Sequence, residues 1–394
     1  MRRATLLLLL AACAQNKGPT RTGPQSIQIT VAGAPGSMGT RQNPLTSHAI
    51  TFDAKVLGPD GKVFDIDRDL NLYIWFLGTL DRSFGMDQTQ RCATPTATVH
   101  VTHGVATGMN VTLPQAYGPT QLWLEDCNQP NPSYAVGSTE PFWFPYPTIA
   151  DVSAPRVDPT CDPIITLFAN SQLEGKQVAI DSSPTGKIIV TGVFSQFYTV
   201  TDSGLATFHS LEVYSFGAPP VSVGDVIQGQ TLTGAISEFN GMTELNFPLA
   251  TVVSHGEPLP APTVLQIADF NYGTDMAKAL KLEGLEAAAV ELDDGCICPP
   301  GADYATFQQW SVAFKTTAGQ YNCGRSYSLG VTTAGQVAGW DPPKQGHHLS
   351  RIRGVLVNIA GCASKTSGNP FGFFILHPRD ASDIVDAGDT CQTM

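Results

Sequence analysis

Lys187–Phe194 reads KIIVTGVF and Ser222–Leu245 reads SVGDVIQGQTLTGAISEFNGMTEL, and these two stretches decide the fold of the middle of the chain. Both are rich in residues that favour strands, and the Asn-Gly pair inside the second stretch predicts a tight hairpin turn. Between them, Phe197–Thr201 and Phe208–Phe216 also read as strands. Five short strands joined by glycine-containing turns are typical of a small closed β-barrel.

The segment before this barrel alternates apolar and polar residues, beginning at Ile27–Val31 and Ala49–Leu57. About seven short strands in ~120 residues are typical of an immunoglobulin-like β-sandwich. We expect Trp75 to fill the core between its two sheets. Cys92 and Cys127 both follow Trp75, so the Cys-Trp-Cys order of antibody domains is absent.

The composition agrees with an all-β chain and argues against nucleic acid as a partner. Charged residues make up only 14% of the 394 residues, whereas glycine (38) and proline (29) are frequent, which favours strands and turns over long helices. The formal net charge of −12 repels a phosphate backbone, so nucleic-acid binding is possible but disfavoured.

The first thirteen residues have the pattern of a secretory leader, with two arginines before an apolar run that is too short to span a membrane. The LAAC ending at Leu10–Cys13 resembles the lipobox of bacterial lipoproteins, in which the chain is cut before the cysteine and the cysteine is acylated. The resemblance implies that Cys13 is lipidated and anchors the protein to a membrane. Ala14 is not the aspartate associated with inner-membrane retention, so we expect the outer membrane.

Nine cysteines are present, and assigning Cys13 to a lipid leaves an even eight. An even number in an exported chain predicts disulfide bonds. Cys92 and Cys127 fall in one segment, and we expect them to bond to each other.

Four further cysteines lie in the C-terminal third of the chain: Cys296, Cys298, Cys323 and Cys362. The first two are too close to bond each other readily, so we expect each to bond one of the other two. Cys161 and Cys391 are left over. A zinc site with His347 and His348 is the alternative, but the paired C-x-x-C motifs of zinc sites are absent, and we predict no metal.

The quoted barrel resembles the OB-fold module that accompanies secreted bacterial nucleases. The likeness rests on VTGVF, the G-D-V of the second stretch, its SEFNGMTEL turn and the PLPAP exit at Pro258–Pro262. The Leu-Glu-Gly that opens this module at Leu173–Gly175 recurs at Leu282–Gly284, and the P-R-D…D-I-V ending at 378–385 resembles the second OB module of those nucleases. The resemblance covers a little over half of the chain and implies a tandem pair.

We therefore predict an all-β protein in which an immunoglobulin-like β-sandwich is followed by two OB-fold-like β-barrels. The predicted segments are a signal peptide (1–12), a lipidated tether (13–26), the sandwich (27–150), a linker (151–172), the first OB-fold module (173–262), a second linker (263–281) and the second OB-fold-like module (282–391).

No stretch corresponds to the separate catalytic domain of those nucleases. Asp269-Phe270-Asn271 echoes one of its motifs but stands alone in a predicted linker, and His347-His348 has no acidic motif beside it. A G-x-S-x-G elbow and a P-loop are also absent from the sequence. We predict that the protein is not an enzyme and uses no cofactor.

One acidic run, with Asp65, Asp67, Asp69 and Asn71, has oxygen-bearing side chains at every second position, as calcium loops do. It does not fit the helix-loop-helix type, because Leu70 stands where that loop needs glycine and Phe76 where it needs glutamate. A solvated loop edge is the preferred interpretation, and a looser calcium site between sandwich loops remains open.

OB folds bind ligands across their second and third strands, often on aromatic side chains. In the first module Phe208 and Tyr214 share one face with Glu212, and Tyr198 lies nearby, so these three aromatic residues are the ligand-face candidates. Residues 173–262 contain only two lysines against eight acids. Stacking contributes about 1–3 kcal/mol per base, but an acidic groove loses the counterion release that usually dominates nucleic-acid affinity. A protein or glycan partner is therefore favoured over nucleic acid, and the alternative is that the aromatic residues merely cover the barrel.

Three functions follow from these patterns. The first is a non-catalytic envelope lipoprotein that binds a protein or glycan partner or acts as a scaffold. The second is an extracellular nucleic-acid-binding lipoprotein that works with a separate nuclease, and the third is an enzyme with an unrecognised site.

In the second barrel, Trp310, Val312 and Phe314 share one face, and we expect them to belong to the core.

Overall fold

The structure is a computed structural model, and strands dominate it. It describes residues 26–32, 38–76, 92–93, 95–113, 116–127, 136–161, 168, 170–270, 274–324, 327–333, 336–340, 343–359 and 374–393. The prediction of an all-β fold is confirmed. The chain forms two units, which meet in sequence between Pro145 and Tyr146. Unit 1 holds the sandwich and unit 2 holds both barrels.

Unit 1 is built from two antiparallel sheets. Its strands are β1 (Ser26–Val31), β2 (Ala49–Leu57), β3 (Arg68–Phe76), β4 (Ala97–Val101), β5 (Val105–Thr112), β6 (Pro119–Glu125), β7 (Gly137–Ser138) and β8 (Phe142–Trp143). One sheet has the order β1-β2-β5, and the other has β4-β3-β6-β7 with β8 beside β6. The first, second and fifth strands thus face the third, fourth, sixth and seventh, which is an immunoglobulin-like arrangement.

The core of unit 1 follows from strand alternation. Along β2 the buried positions recur at every second residue, so one face of the strand is apolar. Phe52 from one sheet and Leu72, Leu122 and Phe142 from the other meet in a single buried cluster. The backbone of Trp75 lies in β3, but its side chain lies outside the described residues, so its predicted core position stays a prediction.

Residues 155–254 of unit 2 form ten strands in the described part of the chain: β9 (Pro155–Arg156), β10 (Asn170–Ser171), β11 (Gln177–Ile180), β12 (Ile188–Val193), β13 (Phe197–Asp202), β14 (Ser210–Tyr214), β15 (Val226–Ile227), β16 (Leu232–Phe239), β17 (Met242–Leu249) and β18 (Val252–Ser254). Strands β9 and β10 form a separate ribbon, and the others form one sheet in the order β11-β16-β17-β14-β13-β12-β15-β18. Strands β14 and β17 are parallel, and the other neighbours are antiparallel.

This sheet is a curled half-barrel, whereas the sequence predicted a closed barrel. Strands β11 and β18 are its two ends and do not pair with each other in the described part of the chain. The cause is a break in the predicted long fourth strand between Ile227 and Leu232, where Gln230 adopts a φ of 65°. The first piece, β15, pairs with β12, and the second piece, β16, pairs with β17. The chain between Ile227 and Leu232 therefore connects the two sides of the sheet, and no strand pairing closes the sheet in the described residues.

The second barrel closes completely. Its strands are β19 (Thr263–Val264), β20 (Ala289–Ile297), β21 (Gln309–Phe314), β22 (Ser328–Thr332), β23 (His347–Asn358), β24 (Phe374–His377) and β25 (Ile384–Thr390). The ring runs β20-β21-β22-β24-β23 and back to β20, and only β22 and β24 are parallel within it. Trp310, Val312 and Phe314 point into its core, as predicted.

The helices of the described residues are short: α1 (Ile149–Ser153), α2 (Ile267–Phe270), α3 (Met276–Glu283) and α4 (Ala302–Phe307). None of them is long and apolar enough to cross a membrane. Helix α1 begins with a capping box, because the Thr148 hydroxyl accepts from the Asp151 N–H while the Asp151 carboxylate accepts from the Thr148 N–H. Both predicted linkers therefore carry regular structure, with β9 and β10 in the first and β19, α2 and α3 in the second.

Two expected disulfide bonds are present. Cys92 bonds Cys127, and Cys298 bonds Cys323. The expectation for Cys296 is wrong, because it bonds Cys391 and neither of the two predicted partners.

The sheet register explains this correction. Strand β20 pairs Cys296 with His348, and β23 in turn pairs His347 with Thr390, so the chain end lies beside Cys296. This neighbourhood arises from two strand pairings and leaves no trace in cysteine spacing. Cys161 is also disulfide-bonded, and Cys362 lies outside the described residues.

We predict that the Cys296–Cys391 bond stabilises the second barrel by closing a large loop. Replacing both cysteines with alanine is expected to lower the free energy of unfolding by about 2–5 kcal/mol, measured by urea denaturation. The Cys92→Ala/Cys127→Ala variant is the control, because it alters only unit 1. Peptide mapping that links Cys296 to Cys323 would contradict the assignment.

Candidate functional site

The predicted ligand face of the first barrel is covered by the chain itself. On β14, Ser210 and Glu212 are buried, although they belong to the face that the alternation turns away from the barrel core. Helix α1 packs on this strand, and the Ser153 hydroxyl donates to the Ser210 carbonyl oxygen at 3.1 Å. Alternation correctly separated the two faces, but it carries no information on what covers the outer one.

The three ligand-face candidates occupy different surroundings. Tyr198 exposes only 2% of its surface, and burial raises the pKa of its hydroxyl to about 12. Phe208 is half-buried, and its backbone N–H donates to the Gly284 carbonyl oxygen at 2.9 Å. Tyr214 is half-buried at the end of β14. The structure therefore does not bring the three together on one open surface.

Tyr214 instead belongs to an aromatic cluster with Phe216 and Phe247. The rings of Phe216 and Phe247 are stacked, with centroids 4.7 Å apart and planes 24° apart. Tyr214 meets Phe216 edge-on at the same centroid distance, 4.7 Å. Such stacked and edge-to-face pairs are favourable arrangements of aromatic rings.

The parallel pairing of β14 and β17 creates this aromatic cluster. Tyr214 and Asn246 are register partners, so Phe247, the next residue of β17, lies close to Phe216, which follows the end of β14. Sequence reasoning missed Phe216 and Phe247 as a pair because 31 positions separate them and only the tertiary fold makes them neighbours. The available signal was weak: Phe216 ends a predicted strand, Phe247 follows one, and each precedes a turn-forming residue, Gly217 or Pro248.

Both phenylalanines of the aromatic cluster have a strained backbone. The φ angle is 59° at Phe216 and 54° at Phe247, in the left-handed region that bulky residues avoid at a cost of about 1–2 kcal/mol each. Their burial does not compensate, because Phe216 is 53% and Phe247 67% exposed. Strained residues of this kind concentrate at ligand sites, where the surrounding structure fixes them.

A cavity of about 590 Å³ opens beside the aromatic cluster. Its wall contains Tyr198, Ser215, Phe216, Pro220, Phe247 and Val252. No aspartate, glutamate, lysine, arginine or histidine is part of this lining, and the volume lies in the range of about 300–1,000 Å³ that is usual for small-ligand sites. The lining thus suits an uncharged ligand.

Polar contacts hold the rim of the cavity in place. The Tyr214 hydroxyl donates to Gln196 Oε1 at 3.3 Å. The Ser215 hydroxyl lies 2.9 Å from the Gln196 carbonyl oxygen and 2.6 Å from that of Gly217. Gln196 lies in the turn between β12 and β13, so this turn and the end of β14 fix each other.

Asp269, from the motif that echoes a nuclease, has a structural role. It is buried, and Oδ1 accepts from Lys281 Nζ at 2.5 Å. Its Oδ2 accepts from the Gln266 backbone N–H at 2.8 Å, at the start of α2. Asn271, the last residue of the motif, lies outside the described residues.

The two adjacent histidines fasten the last strand, β25, to the second barrel. His347 Nδ1 lies 3.0 Å from Asp386 Oδ2. His348 lies between two carboxylates, with Nδ1 2.8 Å from Asp389 and Nε2 2.9 Å from Asp294. Burial alone would lower the pKa of His348, but the hydrogen bonds to Asp389 and Asp294 outweigh it and raise that pKa.

Metal-ligand spacing occurs once in the described part of the chain, at Cys92, Glu125 and Cys127. The two cysteines are joined in a disulfide, so they are not thiolates. In the acidic run considered for calcium, Asp65 and Asp67 both contact His103, through its ring and its backbone N–H respectively. Asp69 similarly contacts the ring of His100 at 2.7 Å.

We predict that the strain at Phe247 is measurable. Phe247→Gly should be more stable than Phe247→Ala by about 1 kcal/mol in urea denaturation, because glycine adopts a positive φ without steric cost. Leu249 is the matched control, since it is exposed on the same strand without a positive φ, and there glycine should be the less stable replacement. Equal effects at the two positions would mean that Phe247 is not left-handed in solution.

Comparison with known proteins suggests no function for this chain, so the function is inferred from the geometry of the site. No protein-family model, no curated protein and no solved structure matches this chain.

Proposed function

We propose that this protein is a non-catalytic binding protein of the bacterial envelope, and that it holds a neutral glycan in the cavity beside the aromatic cluster. The observation that carries the proposal is the exposed, stacked pair of Phe216 and Phe247 at the mouth of an uncharged cavity. Sugar rings have apolar C–H faces that pack on aromatic rings, and OB-type barrels are known to bind oligosaccharides. The fixed backbone of both phenylalanines lowers the entropy lost when a ligand binds.

The same cavity disfavours the alternative, a nucleic-acid-binding lipoprotein that works with a separate nuclease. A nucleic acid would need cations for its phosphates, and none lines the cavity. The net charge of −12 adds a long-range repulsion. A protein partner would use the apolar surface that continues at Leu249 and Val253, both of which are largely exposed.

The envelope location rests on the LAAC sequence at Leu10–Cys13, which lies outside the described residues. We propose that Cys13 carries the lipid, that residues 14–26 act as a tether, and that the protein resides at the outer membrane. A binding protein held in this way acts at the membrane surface, where its ligand concentration is set by the envelope.

The glycan proposal predicts saturable binding of at least one neutral oligosaccharide, measured by calorimetry over a panel of glucans and chitooligosaccharides. Phe216→Ala and Phe247→Ala should each weaken binding about tenfold, or about 1.4 kcal/mol. Phe239→Ala is the control, since Phe239 is equally exposed but does not line the cavity. Salt-sensitive binding of single-stranded DNA that depends on Phe216 would instead support the nucleic-acid alternative.

The anchor proposal predicts a mature protein that begins at a lipid-modified Cys13. Mass spectrometry of the N-terminal peptide from detergent-extracted protein measures this directly. Cys13→Ser should prevent acylation and release the protein from the membrane fraction. An unmodified N-terminus in membrane-associated wild-type protein would refute the anchor but not the glycan site.

A further inference from the structure

Five buried or half-buried glutamates gather where the two barrels of unit 2 meet. Three belong to the first barrel: Glu212 on β14, Glu238 on β16 and Glu244 on β17. The other two precede the second barrel: Glu283 lies at the end of α3, and Glu286 lies three residues later. We call them the glutamate cluster. Neither the glycan proposal nor the disulfide bonds explain why so many carboxyl groups are withdrawn from water.

The two barrels share an apolar interface around this cluster. Phe194 and Met242 of the first barrel pack with Ala287, Val355 and Val357 of the second in one buried group. Backbone contacts extend it, since the Phe208 N–H donates to the Gly284 carbonyl oxygen and the Arg379 guanidinium donates to the Thr191 carbonyl oxygen at 3.3 Å. The carboxyl groups are therefore part of a packed junction between the barrels.

One hydrogen bond of the cluster joins the barrels directly. Glu286 Oε1 accepts from the Thr243 backbone N–H at 2.8 Å, so a carboxyl group beside the second barrel satisfies a strand of the first. The Thr243 hydroxyl also donates to Glu238 Oε1, which accepts from the Ser171 N–H as well. On the second-barrel side, Asn358 Nδ2 donates to Glu283 Oε2 at 3.0 Å.

Several oxygen atoms at this junction lack a hydrogen-bond donor. Glu238 Oε2, Glu286 Oε2 and Asn246 Oδ1 are buried without a hydrogen-bond partner. A buried oxygen without a donor costs about 1–3 kcal/mol. A proton retained by one carboxyl group would supply such a donor to the oxygen of its neighbour.

The arrangement of charge also requires protons. Glu212 and Glu244 are register partners on the parallel strands β14 and β17, and like charges directly opposite each other destabilise a sheet. Burial, with the charge of Glu244, raises the pKa of Glu212 to about 8. Burial likewise raises the pKa of Glu238 and of Glu244 to about 7.

Glu283 and Glu286 behave in the same way. Burial raises the pKa of both well above the usual value, with further contributions from Glu238 to each and from Glu283 to Glu286. The charged groups that shift the pKa values of the cluster are thus the carboxylates of its own members and of Glu174. Since isolated buried charges are very costly, burial favours the protonated form of these carboxyl groups.

We propose that the glutamate cluster is a proton-dependent lock between the two barrels, which holds them together while its carboxyl groups carry protons and releases them when these groups ionise. The sign follows from linkage. A carboxyl group whose pKa is higher in the closed state stabilises that state below its ordinary pKa of 4.5, and the stabilisation is lost as the pH rises through about 7 to 8.

A half-buried histidine limits the same interface at acidic pH. His377 lies edge-on to Phe194 and Phe197, with centroids 6.1 and 6.2 Å away. Burial lowers the pKa of His377 to about 4, so the stability that it contributes as a neutral ring is lost as the pH falls through about 4. The closed junction is therefore most stable in mildly acidic solution.

The remaining titratable groups on the surrounding elements are not part of the glutamate cluster. Lys281 on α3 pairs with Asp269, and Arg379 pairs with Asp383. His209, just before β14, is half-buried, and burial lowers its pKa. Opening of the junction would separate Phe208, just before β14, from Gly284, whereas α1 would still cover the outer face of β14.

Hydrogen exchange of the intact mature chain between pH 5 and 9 tests the lock. After correction for intrinsic exchange, the protection of the amides of Thr243 and Phe208 should fall at least tenfold between pH 6 and pH 9, the change that one pKa unit of linkage produces. Amides in the core of the second barrel, such as that of Val312, should keep their protection over the same range.

Glutamine variants identify the groups. Glu286→Gln and Glu212→Gln keep the shape of the side chain and cannot ionise, so each should lose less protection than the wild type between pH 6 and pH 9, because one of the five ionising groups is removed. The exposed Glu140 in unit 1 provides the control, and Glu140→Gln should leave the wild-type pH profile unchanged.

Three results would overturn the lock: a wild-type profile without pH dependence, pH dependence that is undiminished in both glutamine variants, or protection at pH 9 that calcium restores and a chelator removes. The last result would make the glutamate cluster a cation site. If Glu286→Gln does not fold, Glu212→Gln and the wild-type profile still decide the question.

Discussion

The parallel pairing of β14 and β17 is the constraint on which both functional features of this protein depend. At one end of the shared register, Tyr214 lies opposite Asn246, so Phe216, which follows β14, stacks on Phe247 of β17. Two residues earlier, the same register places Glu212 opposite Glu244. A shift of one residue would turn every side chain of β17 to the other face. One strand pairing thus sets an exposed aromatic site and a buried acidic one.

The acidic groups of this protein occur in two different electrostatic environments. Several carboxylates outside the glutamate cluster have donors beside them: Asp383 accepts from two nitrogens of Arg379, and Asp294 accepts from Lys315, Tyr321 and His348. Burial opposes ionisation of Asp294, but these donors lower its pKa to about 2. In the glutamate cluster the neighbours are further carboxyl groups, so protons take the place of cations. The two barrels are therefore joined by an interaction that responds to pH, whereas each barrel is held by interactions that do not depend on these protons.

The outer face of the first barrel shows why architecture alone does not locate a binding site. Its second and third strands are where OB folds bind ligands, yet α1 and the chain leading into the second barrel cover them. The open surface lies instead where β14 ends beside β17, and there the strained residues Phe216 and Phe247 line the cavity. Both phenylalanines are largely exposed, whereas α1 packs on the outer face of β14.

The sequence by itself determined the all-β class, the immunoglobulin-like sandwich, most strand positions and the Cys92–Cys127 bond, because alternation, turn residues and a short cysteine separation are local signals. For Cys298 it left Cys323 and Cys362 as alternative partners, and the structure decided for Cys323. It also separated the core face of β14, with Leu211 and Val213, from the opposite face. Only the tertiary structure decided that this opposite face is closed, that Cys296 reaches Cys391, that Phe216 meets Phe247 and that the glutamates converge. Each of these depends on a long-range strand pairing or on packing between barrels. Such contacts are fixed by the total burial of apolar surface, which no short window of sequence contains.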